Sequence, residues 1–210
     1  MKLSVITTSH NIEQEHDIIN TIFEMGLPTL HVKKRRLSTS KMIKYLEGIK
    51  AEYHNRLILH THRDLIWKYK LKGIHVSRNR KSKILKWWRM KSTLYIRGGG
   101  YLVGTSCKSL TSIDKHYSEF DYLMISPIFT NPYGHRPSFN PGTLKRVVPS
   151  YPGKIIARGG ANVDNNSIEI AQEIGFAGIS FHMSIWGKPN PVEEFEKIMN
   201  RFNQLGIEVE

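Results

Sequence analysis

Residues 154–163 read KIIARGGANV. Ile155, Ile156 and Ala157 make a short apolar run of the kind a buried parallel strand requires. Two adjacent glycines, Gly159 and Gly160, end it, and Asn162 and Asp164 lead into the helical pattern VDNNSIEIAQEIG. A strand, a glycine pair and a helix make either a tight turn or a place where backbone N–H groups reach a phosphate that no side chain obstructs. The choice depends on where this unit falls in the fold.

The same unit recurs along the chain. Strand candidates are Leu3–Thr7, Thr29–Lys33, Arg56–His60, Gly73–Val76, Tyr101–Ser106, Asp121–Ser126, Lys154–Arg158 and Ala177–His182. Helical periodicity fills the intervals. In EHDIINTIFEMG, Ile18, Ile22 and Met25 share a face, with Ile19 and Phe23 beside them. In VDNNSIEIAQEIG, Ile168, Ala171 and Ile174 do so, with Asp164 as first-turn acid and Gly175 as the stop. Alternating strands and helices predict a parallel sheet. Eight such units in 210 residues predict an α/β fold, a single (β/α)8 barrel domain over residues 1–210. An open doubly wound sheet is the alternative, but no G-x-G-x-x-G follows the first strand. In the barrel count, KIIAR is strand seven and GISFH strand eight. The loops after these strands often bind phosphate in this architecture. Gly159, Gly160 and the backbone amides near Met183 and Ser184 are therefore the expected phosphate cradle.

Composition narrows the function. Hydrophobic residues at 40% and charged residues at 23% suit a globular protein, and no apolar run is long enough to span a membrane. The single cysteine, Cys107, excludes an intramolecular disulfide and a multi-cysteine metal site. A cytoplasmic location is the default expectation. The net charge of +13 is unevenly placed: from Leu65 to Ile113 there is no Asp or Glu, while Lys and Arg recur from Lys68 to Lys108. Such a segment attracts anions, either phosphorylated metabolites or nucleic acid. RNRKSKILKWWRMK, residues 78–91, carries Trp87 and Trp88 among its cations, and stacking on bases is the nucleic-acid reading of it. An amphipathic helix with one Trp packed on the barrel is the simpler reading, so nucleic acid is not the expected partner.

Taken in order, LHVKKR, LILHTHRDL, KGIHVS, LVGTSCKSL, FDYLMISPIFTNP, IIARGGA and GISFHMSIWG resemble the strand-end motifs of the thiamine-phosphate synthase/TenI family. The resemblance spans roughly residues 3–186. It implies a barrel enzyme that joins hydroxymethylpyrimidine diphosphate to thiazole phosphate with loss of pyrophosphate. It also implies phosphorylated pyrimidine and thiazole ligands, no membrane, and leaves a homodimer open. The family's Gln-Leu-Arg-x-Lys appears here as His31, Val32, Lys33, Lys34 and Arg35, which keeps two basic positions with Lys and Arg exchanged. Lys33 and Arg35 are expected to act on the diphosphate, and His31 to contact substrate. The third strand, normally ending Asn-Asp, ends His60-Thr61, both expected at the substrate.

Mg²⁺ is the cofactor the resemblance implies, but the two family carboxylate positions align with Thr61 and Arg80. No metal ligand is therefore assigned, and Arg80 is expected to take over part of the ion's electrostatic role. His60, His62 and His75 suggest a metal cluster, but a histidine inside a barrel strand is read as a hydrogen-bonded core residue. In the fifth-strand loop Ser106 is expected at the substrate, and Lys108 stands where TenI-type thiazole tautomerases place a histidine. The sixth-strand loop keeps Pro127, Ile128 and Phe129 and offers Arg136 for the pyrophosphate. The eighth strand's Val-Ser-Ala becomes His182, Met183 and Ser184. A TenI-like tautomerase, or a non-catalytic binder of thiamine intermediates, is the alternative function.

Overall fold

The structure, a computed structural model, describes residues 1–76, 100–130 and 137–210. Eight parallel strands close into a barrel in chain order. They are β1 (Lys2–Ile6), β2 (Leu30–Val32), β3 (Leu57–Leu59), β4 (Gly73–Val76), β5 (Leu102–Cys107), β6 (Tyr122–Ile125), β7 (Ile155–Arg158) and β8 (Gly178–Phe181). Closure is made by β1 pairing with β8, Lys2 opposite Gly178 and Val5 opposite Phe181. The barrel and all eight strands are those the sequence predicts, with ends shifted by a residue or so. Among the described residues the helices are α1 (Glu15–Glu24), α2 (Thr39–Glu47), α3 (Leu65–Lys68), α4 (Thr111–Tyr117), α5 (Pro141–Val147), α6 (Ser167–Ile174), α7 (Met183–Trp186) and α8 (Pro191–Gln204). No described helix is long and apolar enough to cross a membrane.

Strand side chains alternate between two environments. Leu3, Val5, Leu30, Val32, Leu57, Leu59, Leu123, Ile125, Ile179 and Phe181 face outward into the main core beneath the helices. Ile6, Ile58, Tyr122, Met124 and Ile156 form a second, smaller cluster inside the barrel. The Tyr122 ring occupies the place a Cβ on Gly104 would need, 2.0 Å away, so glycine at 104 admits a phenol into the lumen.

Two helix expectations are corrected. The buried stripe of α1 centres on Ile19, Ile22 and Phe23, while Ile18 and Met25 are only half-buried on its flanks. Asp164 is not in the first turn of α6. It lies in a separate 3₁₀ turn, Val163–Asn165, where its N–H donates to the Asn162 side chain. Ile168, Ala171 and Ile174 are buried as expected, and Gly175 stops α6 at φ +88°.

One outward residue fixes the segment after β2. Lys34 is 1% exposed, and its ammonium donates to Glu15 Oε2 and to the His10 carbonyl, both at 2.6 Å. The Tyr45 hydroxyl donates to the other Glu15 oxygen at 3.0 Å. With Lys34 drawn behind the barrel, its neighbours Lys33 and Arg35 are left on the mouth side. Removing one partner of a buried pair strands the other charge, so Glu15→Ala is expected to cost about 3–5 kcal/mol of unfolding free energy. Urea denaturation measures this; a loss below about 1 kcal/mol would show that the pair does not anchor the segment.

Candidate functional site

The strand C-terminal ends form the mouth. The expected cradle residues Gly159, Gly160, Met183 and Ser184 all line one cleft of about 430 Å³, together with Arg158, Ser180, His182 and Lys188. Gly159 and Gly160 sit at φ +85° and +81°. A Cβ on Gly160 would fall 2.2 Å from the Phe129 carbonyl oxygen, and one on Gly159 2.6 Å from Ser126 Oγ. The glycine pair is thus required by packing against the loop after β6, where Phe129 N–H donates to the Gly159 carbonyl at 2.9 Å. Asn165 closes the other side by donating to the Gly160 carbonyl at 2.8 Å. These bonds use carbonyls; among the described residues the N–H groups of Gly160, Ala161, Met183 and Ser184 donate to no backbone carbonyl.

Among the described residues, three polar atoms in the cleft are buried without a hydrogen-bond partner: Ser180 Oγ, His182 Nε2 and Ser184 Oγ. Leaving such an atom unpaired costs about 1–3 kcal/mol, so three in one cleft point to a ligand that satisfies them. A larger hollow of about 680 Å³ around His54 and Tyr69 holds no such atom.

The mouth is cationic. Burial pushes the Lys33 ammonium down to about 8, with Arg158 and then Arg35 adding repulsion. Arg158 is itself lowered by burial and by Arg35. His182 falls to about 4 through burial, then Lys33 and Arg158, with a Thr7 backbone hydrogen bond acting in the opposite direction. Among the described residues no segment following a strand begins with an Asp or Glu. The cations therefore repel one another at a cleft that contains unsatisfied donors, which is the electrostatic form of an anion site.

Below the mouth, inside the barrel, lie His31, His60 and His75. His31 Nδ1 is 3.2 Å from His60 Nε2. His75 bonds Ser106 Oγ at 2.9 Å through Nε2 and faces the Tyr122 hydroxyl at 3.2 Å through Nδ1. The His60 and His75 rings stack at 4.5 Å. Burial, then Arg158 and Lys72, push His31 down to about 3. Burial likewise lowers His60.

The other expected site residues fall as follows. Thr61 is half-buried beside β3, with its hydroxyl 2.9 Å from His62 Nδ1, so His62 lies outside the lumen cluster and His31 takes its place. Asp64 occupies the cap position of α3 without a side-chain cap. Arg35 and Lys108 are exposed. Lys108 is not among the groups that perturb Lys33, Arg158 or His182, which places the electrostatic centre at β2 and β7. Cys107 is buried, its thiol 3.7 Å from the Ser112 carbonyl oxygen. Arg80, Arg136 and the basic stretch 78–91 lie outside the described residues. Arg158, Ser180 and His182 also line the cleft and are not among the expected site residues. Strand parity marks them: each has the inward parity of its strand, with Arg158 at the end of β7, Ser180 one residue before the end of β8 and His182 just beyond it.

The family described as Thiamine monophosphate synthase (TMP-TENI) matches residues 3–185. The chain belongs to this family. No curated protein matches the chain by sequence. Among solved structures, thiamine phosphate pyrophosphorylase from Bacteroides thetaiotaomicron superposes with a TM-score of 0.78 at 26% identity, covering 97% of this chain and 98% of its own. Thiamine phosphate pyrophosphorylase from Pyrococcus furiosus has a TM-score of 0.73 at 17% identity, covering 97% and 96%. At 14% identity, (S)-3-O-geranylgeranylglyceryl phosphate synthase from Thermoplasma acidophilum, solved with sn-glycerol-1-phosphate, shares the fold with a TM-score of 0.67, covering 97% and 93%. The chain is a thiamine-phosphate-synthase-like protein on a (β/α)8 barrel.

Mg²⁺, the ion implied by that membership, requires hard oxygen ligands, usually one or two carboxylates beside substrate phosphates. The donor set here does not fit it. Thr61 offers only a hydroxyl that already faces His62, and the sequence from Leu65 to Ile113 contains no acid to supply a ligand after β4.

The lumen histidines make acid stability a direct readout of this site. With His31 at about 3 against an ordinary 6.5, the folded state binds fewer protons than the unfolded state between these values. Stability is therefore highest above pH 6.5 and falls as pH drops toward 3. His31 alone should remove about 2–3 kcal/mol between pH 7 and pH 4.5. Urea midpoints at the two pH values test this, and His31→Gln should flatten the dependence; an unchanged slope would show that this imidazole is not held neutral.

Proposed function

We propose that this protein couples hydroxymethylpyrimidine diphosphate to thiazole phosphate, with cationic side chains standing in for the family's metal ion. The thiazole nitrogen attacks the pyrimidine methylene carbon, the carbon–oxygen bond to the diphosphate breaks, and its electron pair leaves with pyrophosphate. The carrying observation is the set of three buried, unpartnered polar atoms, Ser180 Oγ, His182 Nε2 and Ser184 Oγ, in the same cleft as Arg158. Phosphate oxygens accept from the serine hydroxyls and from the amides after Gly159. Lys33, Arg35 and Arg158 stabilise the charge that develops on the departing diphosphate. A guanidinium concentrates charge less than Mg²⁺ does, so turnover is slow. Holding both phosphates at one mouth aligns nitrogen and carbon for displacement.

The missing carboxylates also favour a second reading, in which the cleft binds thiamine intermediates without joining them. One assay separates the two. Purified protein is given both substrates in Mg²⁺ buffer and in EDTA, and thiamine phosphate is quantified. Product in both buffers is expected. Product only with Mg²⁺ would overturn the substitution of side chains for the ion, and no product in either would leave the binder. Arg158→Ala should weaken binding of hydroxymethylpyrimidine diphosphate by roughly 10–100-fold, the loss expected for a hydrogen bond to a charged group.

A further inference from the structure

We propose that His31, His60 and His75 form a binding site inside the barrel for one divalent transition-metal ion of the zinc class. The inference concerns the lumen and is independent of the coupling reaction proposed for the mouth. The three imidazoles come from adjacent parallel strands. Ile58 is paired with Gly73, which sets His60 level with His75, and His31 is paired with Ile58. All three have inward parity, so the barrel itself brings them together. One nitrogen from each lies within 4.8 Å of the others.

The geometry suits a zinc-class ion. Tetrahedral zinc with bonds of about 2.0–2.1 Å holds its ligand nitrogens about 3.3 Å apart. His31 Nδ1 and His60 Nε2 are already at 3.2 Å. Both ring nitrogens of His75 are in hydrogen bonds, so ligation exchanges one of these bonds for the ion. Its other nitrogen then stays on Ser106 Oγ or the Tyr122 hydroxyl, and such an outer partner fixes the tautomer of a ligating histidine. Three imidazoles leave a fourth position open for water or a ligand.

The chemistry selects the ion. Neutral imidazole suits Zn²⁺, Co²⁺, Ni²⁺ or Cu²⁺ and not Mg²⁺. Arg158, Lys33 and Lys72 are the charges that oppose a cation here, and an anion at the open position offsets them.

The test uses full-length protein stripped of metal and titrated with Co²⁺ and with Zn²⁺. One equivalent of Co²⁺ should bind with the intense visible bands of a four-coordinate site, and Zn²⁺ should displace it and raise the unfolding temperature. His60→Gln should abolish the bands, with circular dichroism confirming the fold. Ser106→Ala, which keeps all three ligands, should weaken Zn²⁺ binding by about 10–100-fold. Absence of stoichiometric binding to the unmodified protein would overturn the proposal, as would binding that survives both His60→Gln and His31→Gln. In either case the three rings are a hydrogen-bonded core.

Discussion

Closure of the barrel, sealed where β1 pairs with β8, allows each strand side chain only two directions. The outward direction is fully used by Val, Ile, Leu and Phe beneath the helices. The inward direction is a narrow space in which eight strands compete, and here it is only partly apolar. Ile6, Ile58, Met124 and Ile156 fill part of it. Ser4, His31, His60, His75 and Ser180 are buried polar residues with the same inward parity, so they converge because nowhere else is open to them. The chemistry of this protein follows from that convergence, since no short local motif assembles it.

The same parity explains the charge arrangement. Lys33, Arg158 and His182 each take an inward place beyond or at the end of a strand, while Lys34, one residue out of phase, turns outward to Glu15. Two lysines adjacent in sequence thus meet opposite fates. Lys34 finds a buried carboxylate and becomes structural. Lys33 meets Arg158 and Arg35, and burial and repulsion together lower its proton affinity. A fold bears such repulsion at low cost only where water or an anion screens it, and the mouth provides both access and the unpaired donors of Ser180 and Ser184.

The fold was legible because apolar runs separated by glycine, serine and asparagine recur at regular spacing, and β-branched strands of three to six residues leave few alternatives. The glycine pair at 159–160 was legible as a special position, and its packing reason, the approach of Phe129 and Ser126, was not. The cradle was read from barrel position, and its four residues do share a cleft. Arg158, Ser180 and His182 lie inside the motifs IIARGGA and GISFHMSIWG, but only strand parity, not the motif, marks them as facing the cleft. The lumen trio needed more than parity. His62 follows His60 by two residues and has the right alternation, but β3 ends at Leu59 and His62 adopts φ +53°, which turns it out to Thr61. That backbone bend has no signature in LHTHRD.

The two layers of the lumen constrain each other. Cations at the mouth lower the proton affinity of the imidazoles beneath them: Arg158 acts on His31, and Arg158 with Lys33 acts on His60. Neutral imidazoles in turn let three cations remain close above them without adding to the repulsion. Had the layer below contained carboxylates, Lys33 and Arg158 would be paired and unavailable to an anion. Had the histidines been protonated, the mouth would carry still more uncompensated charge. A barrel with Thr61 after β3 and no acid across Leu65–Ile113 therefore cannot keep its polar groups independent. The absence of acids from these places, the cations Lys33 and Arg158 and the buried neutral histidines form one electrostatic arrangement, in which no described group beneath the mouth neutralises the two cations.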